Sequence, residues 1–143
     1  MRVPLDTTLL VDYFRDLPAA VAFVEGLDEP PHLSAIHIAE LYAGVRDDEE
    51  RERLDTALGL FRAHPIDGEL GRAGGLLKRR RGPGHGVGLA DALIAATVQA
   101  HGLVLVTRNR KHFPMLDEVM TPYRCPARLR IPAGDSRANP RGR

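Results

Sequence analysis

The sequence predicts an α/β protein, an α/β/α sandwich built on a mainly parallel central sheet. Three observations lead there. Leu103 to Thr107 reads LVLVT, a continuous apolar, β-favouring run of the kind that a parallel sheet buries on both faces. Short segments at Val3 to Leu5 and His32 to Ser34 each precede a stretch with apolar residues at helical spacing. Strands that alternate with helices imply crossover connections, and hence parallel pairing.

The elements follow in order. Val3 to Leu5 is a short buried strand, Asp6-Thr7-Thr8 is a turn, and Leu9 to Val11 begin a helix that runs through Tyr13 or Phe14. Asp16-Leu17-Pro18 opens a second helix, which reaches about Leu27 and is ended by Glu29-Pro30-Pro31. After the strand from His32 to Ser34, Ser34 caps a helix from Ala35 to Val45. Apolar residues cover much of its circumference, so Glu40 is the odd residue on a surface expected to be buried. The charged run from Asp47 to Arg53 leads into a solvated helix to about Arg62, with Glu49 and Arg53 at pairing distance. His64 to Ile66 is a short strand. Asp67 caps a helix that runs to Lys78-Arg79-Arg80-Arg81 and stops at Gly82-Pro83-Gly84. Gly88 to Gly102, GLADALIAATVQAHG, is an apolar helix with Asp91 at its head, and the LVLVT strand follows.

At 143 residues, with 43% hydrophobic and 27% charged residues, the chain has the composition of one soluble globular domain. That domain is expected over residues 1–131, with a disordered basic tail over 132–143, where Gly, Pro, Arg, Ser and Asn predominate. A net charge of +1 leaves polyanion binding to local patches. The single cysteine, Cys125, makes no internal disulfide. Asp6 and Asp12 break the apolar runs of the N-terminus, so a signal peptide is not expected and the cytoplasm is. No apolar run approaches the roughly 20 residues that cross a bilayer, which argues against a membrane partner.

In an open parallel sheet, ligand sites collect beyond the carboxyl ends of the strands. Asp6 follows the first strand, Glu40 lies about a turn into the helix after the second, Asp91 heads the apolar helix, and Thr107-Arg108-Asn109 follows the last clear strand. Each has a plain structural alternative: Asp6 and Asp91 as helix caps, Glu40 as half of an ion pair, Asn109 as a turn residue. Their joint placement favours convergence. Two carboxylates about 4 Å apart repel by about 4 kcal/mol at an effective dielectric near 20, so such a cluster takes up protons or a cation. Oxygen ligands without cysteine favour Mg²⁺ or Mn²⁺ over Zn²⁺. His37 and Glu40 share a helix face, but no further histidine completes a zinc set by spacing.

On these residues the chain resembles the PIN-domain ribonucleases, and in particular the VapC toxins of bacterial toxin and antitoxin pairs. The matching segments are LDTTLLVDYF around Asp6, SAIHIAELYAGV around Glu40, LADALIAATVQAHGLVLVTRN around Asp91, and TRNRKHF around Asn109. Their order and spacing match from Met1 to about Pro122. The resemblance implies a PIN-like sandwich, an acidic pocket for Mg²⁺ or Mn²⁺, endonucleolytic cleavage of RNA, a homodimer, and a VapB-like antitoxin that blocks the pocket. It places Asp6 and Asp91 as principal metal ligands, Glu40 as the third acid, and Asn109 where many relatives carry a fourth. An amide is a weaker ligand than a carboxylate, so one tightly held ion is expected. Asp117 and Glu118, in MLDEVM, read as a surface turn.

The chemistry expected is metal-assisted phosphodiester hydrolysis, with Glu40 orienting or deprotonating the attacking water. Asn109 and Thr107 are expected to hold ligands or substrate by hydrogen bonds, Arg108 and Lys111 to hold substrate phosphates, and Lys78 to Arg81 either line an RNA path or form a solvated helix end. GPGHGVG, from Gly82 to Gly88, fits neither Rossmann nor P-loop spacing and reads as a flexible loop over the rim of the site. His112 is expected to pack or hydrogen-bond beside Phe113. Two rival readings remain: a Mg²⁺-dependent phosphatase, against which LDTTLL lacks a second aspartate, and a non-catalytic module that binds RNA or protein.

Overall fold

Alternation along the last apolar strand shows how the sheet is covered. In the computed structural model, which describes residues 2–81 and 86–123, Leu105 packs into one hydrophobic cluster and its neighbour Val106 into another. Successive side chains of a strand point to opposite faces, so both faces of the sheet carry a core. One cluster holds Ile94, Ala95, Val98, Leu105 and Phe113; the other holds Val3, Leu5, Leu10, Leu33 and Leu41. The α/β/α layering expected from the sequence is therefore present.

The paired strands are β1 (His32–Ser34), β2 (Arg62–His64), β3 (Leu105–Val106) and β4 (Val119–Met120). β1 pairs with β2 and β3 with β4, both in parallel. Pro4 and Leu5 join the two pairs by parallel bridges to His32 and Val106. Across the sheet the order is thus β2, β1, the Pro4 and Leu5 segment, β3, β4, with the first segment of the chain in the centre. LVLVT contributes only its middle residues as paired strand, and the sequence reading missed β4. There Val119 and Met120 pair while Asp117 and Glu118 are exposed.

Six helices cover the sheet among the described residues: α1 (Thr7–Phe14), α2 (Pro18–Glu25), α3 (Ala35–Ala43), α4 (Asp48–Leu58), α5 (Gly68–Arg81) and α6 (Leu89–Ala100). Four of them start at short polar capping residues, three of which, Asp6, Ser34 and Asp67, are the caps considered from the sequence. Asp6, Ser34 and Asp47 each accept a backbone N–H of the first turn, and Asp67 accepts from Leu70 N at 2.9 Å. α6 ends where Gly102 adopts a φ of 59°, a left-handed conformation that glycine takes without steric cost.

Three details differ from expectation. α4 ends at Leu58 rather than near Arg62, because Gly59 caps it and Arg62 N already bonds Pro31 O at 2.9 Å to begin β2. Arg53 reaches Asp16 at 3.8 Å, across to the α1 and α2 junction, instead of pairing with Glu49. α3 buries only His37 and Leu41, so Glu40 stands on an exposed face and not on a buried one. Most of the Gly82 to Gly88 loop, Cys125 and the expected tail lie outside the described residues. No helix among the described residues is long and apolar enough to cross a membrane.

Candidate active site

The connections of this sheet leave its central segment in opposite directions. From Leu5 the chain moves to β1 and β2 on one side, and later returns to β3 and β4 on the other. The crevice beyond the carboxyl ends of Leu5 and β3 is therefore the topological switch point, where open α/β sheets bind ligands. Asp6 follows Leu5 directly and Thr107 follows β3 directly, so both enter this crevice by their place in the chain.

Asp6 is fixed from two sides. Its Oδ1 accepts Thr7 N at 2.9 Å, which caps α1, and its Oδ2 accepts the Thr107 hydroxyl at 2.6 Å. Thr107 Oγ1 in turn accepts Asn109 N at 3.0 Å, tying the loop after β3 to the same carboxylate. Thr107 is fully buried. Of the two roles expected for it, holding a ligand or holding substrate, its hydroxyl takes up a hold on Asp6.

Glu40 comes to the crevice from α3 and accepts the Thr7 hydroxyl through Oε2 at 2.9 Å. Asp91 sits in the first turn of α6 and lies beside His112, whose Nδ1 is 3.6 Å from its Oδ2. Partial desolvation raises both carboxyls above their ordinary values. For Glu40 the Thr7 hydroxyl opposes this and the charges of Asp6 and Asp91 add to it. For Asp91, His112 opposes it and Asp6 adds to it. The three acids therefore act on one another, although no three His, Cys, Asp or Glu side chains among the described residues close on one ion as they stand.

The basic residues divide. Arg108 was expected to take RNA phosphates, but its guanidinium lies 2.8 Å from Asp12 Oδ2 and over the Tyr123 ring, only 20% exposed. Lys78 and Arg81 donate to the carbonyls of Val87 and Pro114 and so fasten α5 to neighbouring loops. Lys111 is exposed on the 3-10 turn Arg110–His112, beside Asn109 at the mouth of the crevice. Asn109 does not cap that turn with its side chain.

Two histidines complete the surroundings, and sequence spacing assigned neither of them. His112 reaches Asp91 rather than only packing beside Phe113. His37 is buried, forms a capping box with Ser34, and places Nε2 4.0 Å from Asp6 Oδ1. The signal for His37 was present in Ser34-x-x-His37, where a capping-box partner belongs. Beyond Glu40, a groove of about 390 Å³ runs between α1, α3 and α4, with Val11, Phe14, Leu41 and Leu54 in its wall and Glu49 and Glu50 on its rim.

Known proteins share this arrangement. The PIN domain family matches residues 3–118. The chain is 34% identical to the ribonuclease VapC10 of Mycobacterium tuberculosis over 85% of its own length and 93% of that protein. It is 35% identical to the ribonuclease VapC19 of the same organism over 83% and 98%. Among solved structures, a chain of a toxin–antitoxin complex from Klebsiella pneumoniae superposes with a TM-score of 0.75 at 29% identity, covering 87% of this chain and all of that one. Fold, crevice and sequence agree: the chain belongs to the PIN-domain family, among the VapC ribonucleases.

Proposed function

We propose that this chain is the toxin of a toxin and antitoxin pair, an endoribonuclease that cleaves RNA with the help of Mg²⁺ or Mn²⁺ and is neutralised by a VapB-like antitoxin. The observation that carries this reading is the mutual influence of Asp6, Glu40 and Asp91 at the switch point of the sheet. Glu40 and Asp91 are pushed above their ordinary values by partial burial, with neighbouring acids adding to it, and a hard cation stabilises such a place; an all-oxygen set suits Mg²⁺ or Mn²⁺.

Asp6 and Asp91 are the principal ligands in this reading, with Glu40 beside them. A divalent cation held there supplies Lewis acidity toward the scissile phosphate. The remaining work belongs to the side chains. Thr107 and the Thr7 amide keep Asp6 in one orientation. Glu40, exposed and with a raised pKa, orients the attacking water or accepts its proton. Lys111 meets substrate phosphates and Asn109 hydrogen-bonds ligand or substrate, contacts that position RNA without reading its sequence.

The relatives found in toxin–antitoxin complexes suggest how activity is withheld. The groove beside Glu40 offers an apolar wall edged by both acids (Asp16, Asp47, Glu49, Glu50) and arginines (Arg15, Arg46, Arg53), and an amphipathic antitoxin segment laid in it would lie next to Glu40. A homodimer of the toxin belongs to the same reading. The test is cleavage of a mixed RNA pool with Mg²⁺, Mn²⁺ or EDTA present. Wild type cuts RNA only with metal, and Asp6→Asn and Asp91→Asn lose activity by orders of magnitude while remaining folded. Metal-independent cutting, or full activity in either variant, rejects the proposal.

A further inference from the structure

His37 carries an N–H with no acceptor, aimed at the most constrained acid of the site. Its ring is fully buried at the third position of α3. Nδ1 accepts the Ser34 backbone N–H at 3.2 Å. A backbone N–H only donates, so Nδ1 presents its lone pair and the ring proton sits on Nε2. Nε2 is buried without a hydrogen-bond partner among the described residues, 4.0 Å from Asp6 Oδ1.

The usual partner at this capping-box position is Glu or Gln, which reaches back to the N-cap and ends there. Histidine has two nitrogens on opposite sides of a rigid ring. One closes the cap on Ser34, and this fixes the direction of the other toward Asp6.

We propose that His37 is a positioning residue for Asp6: the Ser34 cap locks its tautomer, and Nε2–H guides Oδ1 while Oδ2 is held by Thr107. The 4.0 Å separation is too long for a direct hydrogen bond, so the N–H acts on Oδ1 as a dipole across the gap while Thr7 N and the Thr107 hydroxyl hold the carboxylate in place. The proposal rests on the metal-dependent reading above, because its consequence is a carboxylate pre-aimed for a cation. A burial role alone predicts that any side chain of similar volume serves equally well.

The test uses the full chain and three measurements. ¹⁵N NMR of the wild type reads the tautomer, Mn²⁺ titration calorimetry reads ion affinity without any turnover, and RNA cleavage gives kcat and KM. We expect Nε2–H in the wild type. We expect His37→Phe to lose about tenfold in Mn²⁺ affinity, the size of effect seen when an outer partner of a metal ligand is removed. His37→Gln, which keeps an N–H donor, recovers most of that loss, and kcat falls in His37→Phe with KM for RNA unchanged. An Nδ1–H tautomer overturns the proposal, as does wild-type Mn²⁺ affinity in His37→Phe or an equal loss in both variants that follows their melting temperatures. If His37→Phe does not fold, the tautomer and His37→Gln against His37→Leu decide in the same way. A wild type that binds Mn²⁺ but cuts no RNA refutes the nuclease reading and leaves the role of His37 standing.

Discussion

Asp6 does two things at once, and only one of them is visible from its neighbours in sequence. As the residue before Thr7 it caps α1, and as the residue after Leu5 it enters the crevice. The sequence raised both as alternatives; the structure contains both. Asp91 stood out as the single acid of an apolar helix, but α6 follows α5 rather than a strand and Glu40 is the sixth residue of α3, so helix packing and not chain order brings both to the crevice. For Thr107 two partners were expected, a ligand or substrate, and the choice was not legible because whether its hydroxyl faces solvent or Asp6 depends on the pleat of β3. Arg108 was misread because Asp12 lies one helical turn and more into α1, and no local spacing reports a contact between the two. A first prediction concerns Thr107: Thr107→Val keeps the volume and removes the 2.6 Å bond to Asp6. We expect a loss of about 10 to 100-fold in cleavage rate with little change in RNA affinity, measured by single-turnover kinetics.

A second prediction at this scale follows from charge. Glu40 and Asp91 have raised values in the folded protein, so the fold binds a proton more tightly than the unfolded chain does. Their ionisation therefore costs stability above the raised values, and that cost disappears as pH falls into the ordinary carboxylate range. Without metal, Glu40→Gln and Asp91→Asn should each melt a few degrees above wild type at pH 7, and the gain should shrink toward pH 4. Added Mn²⁺ should stabilise wild type and not Asp91→Asn. Thermal melts at several pH values check both statements.

Elements were legible where their ends carry capping chemistry and obscure where pairing partners decide. Helix starts at Asp6, Ser34 and Asp67 followed from short polar side chains that satisfy first-turn N–H groups. β4 has two paired residues and is defined by its neighbour β3, so nothing in its own sequence marks it. β2 was displaced by two residues in the sequence reading, because its register is set by β1 and not by its own pattern.

The β1 and β2 pair carries a pH dependence of its own. His32 Nδ1 and His64 Nε2 lie 2.7 Å apart, and the ring of His101 stands against that of His64. Burial lowers both His32 and His64, and cationic neighbours including Arg2 and Arg62 lower them further. A histidine held below its ordinary value gives stability that is present above about 6.5 and is lost as pH falls below it. Protection factors of amides across β1 and β2, that is exchange rates corrected for the intrinsic slowing at lower pH, should therefore fall between pH 7 and 5, and His64→Phe should flatten that dependence. On the opposite layer, α5 meets α6 at Gly74. A Cβ there would sit 2.6 Å from Leu93 Cδ2 and 3.2 Å from Leu93 Cα. Gly74→Ala should destabilise by about 1–3 kcal/mol in urea unfolding despite the better helix propensity of alanine.

At the scale of the whole molecule, topology turns separate residues into one site. The central segment at Pro4 and Leu5 sends its connections both ways, and this puts Asp6 and Thr107 side by side although they lie at opposite ends of the described chain. That consequence of strand order was available from the sequence as a rule about carboxyl ends, while the order itself was not. The groove beside Glu40 belongs to this scale as well, since three helices form it and none of them shows it alone.

The central claim is that Asp6 and Asp91 share one divalent cation. Crystals grown with Mn²⁺ and measured near the manganese absorption edge test it directly. The account predicts a single strong anomalous peak about 2.1 Å from a carboxylate oxygen of each aspartate, with Glu40 beside it, and no such peak in Asp91→Asn. A peak elsewhere on the protein, or an empty crevice in crystals of a protein that cuts RNA in the same Mn²⁺ buffer, would contradict it.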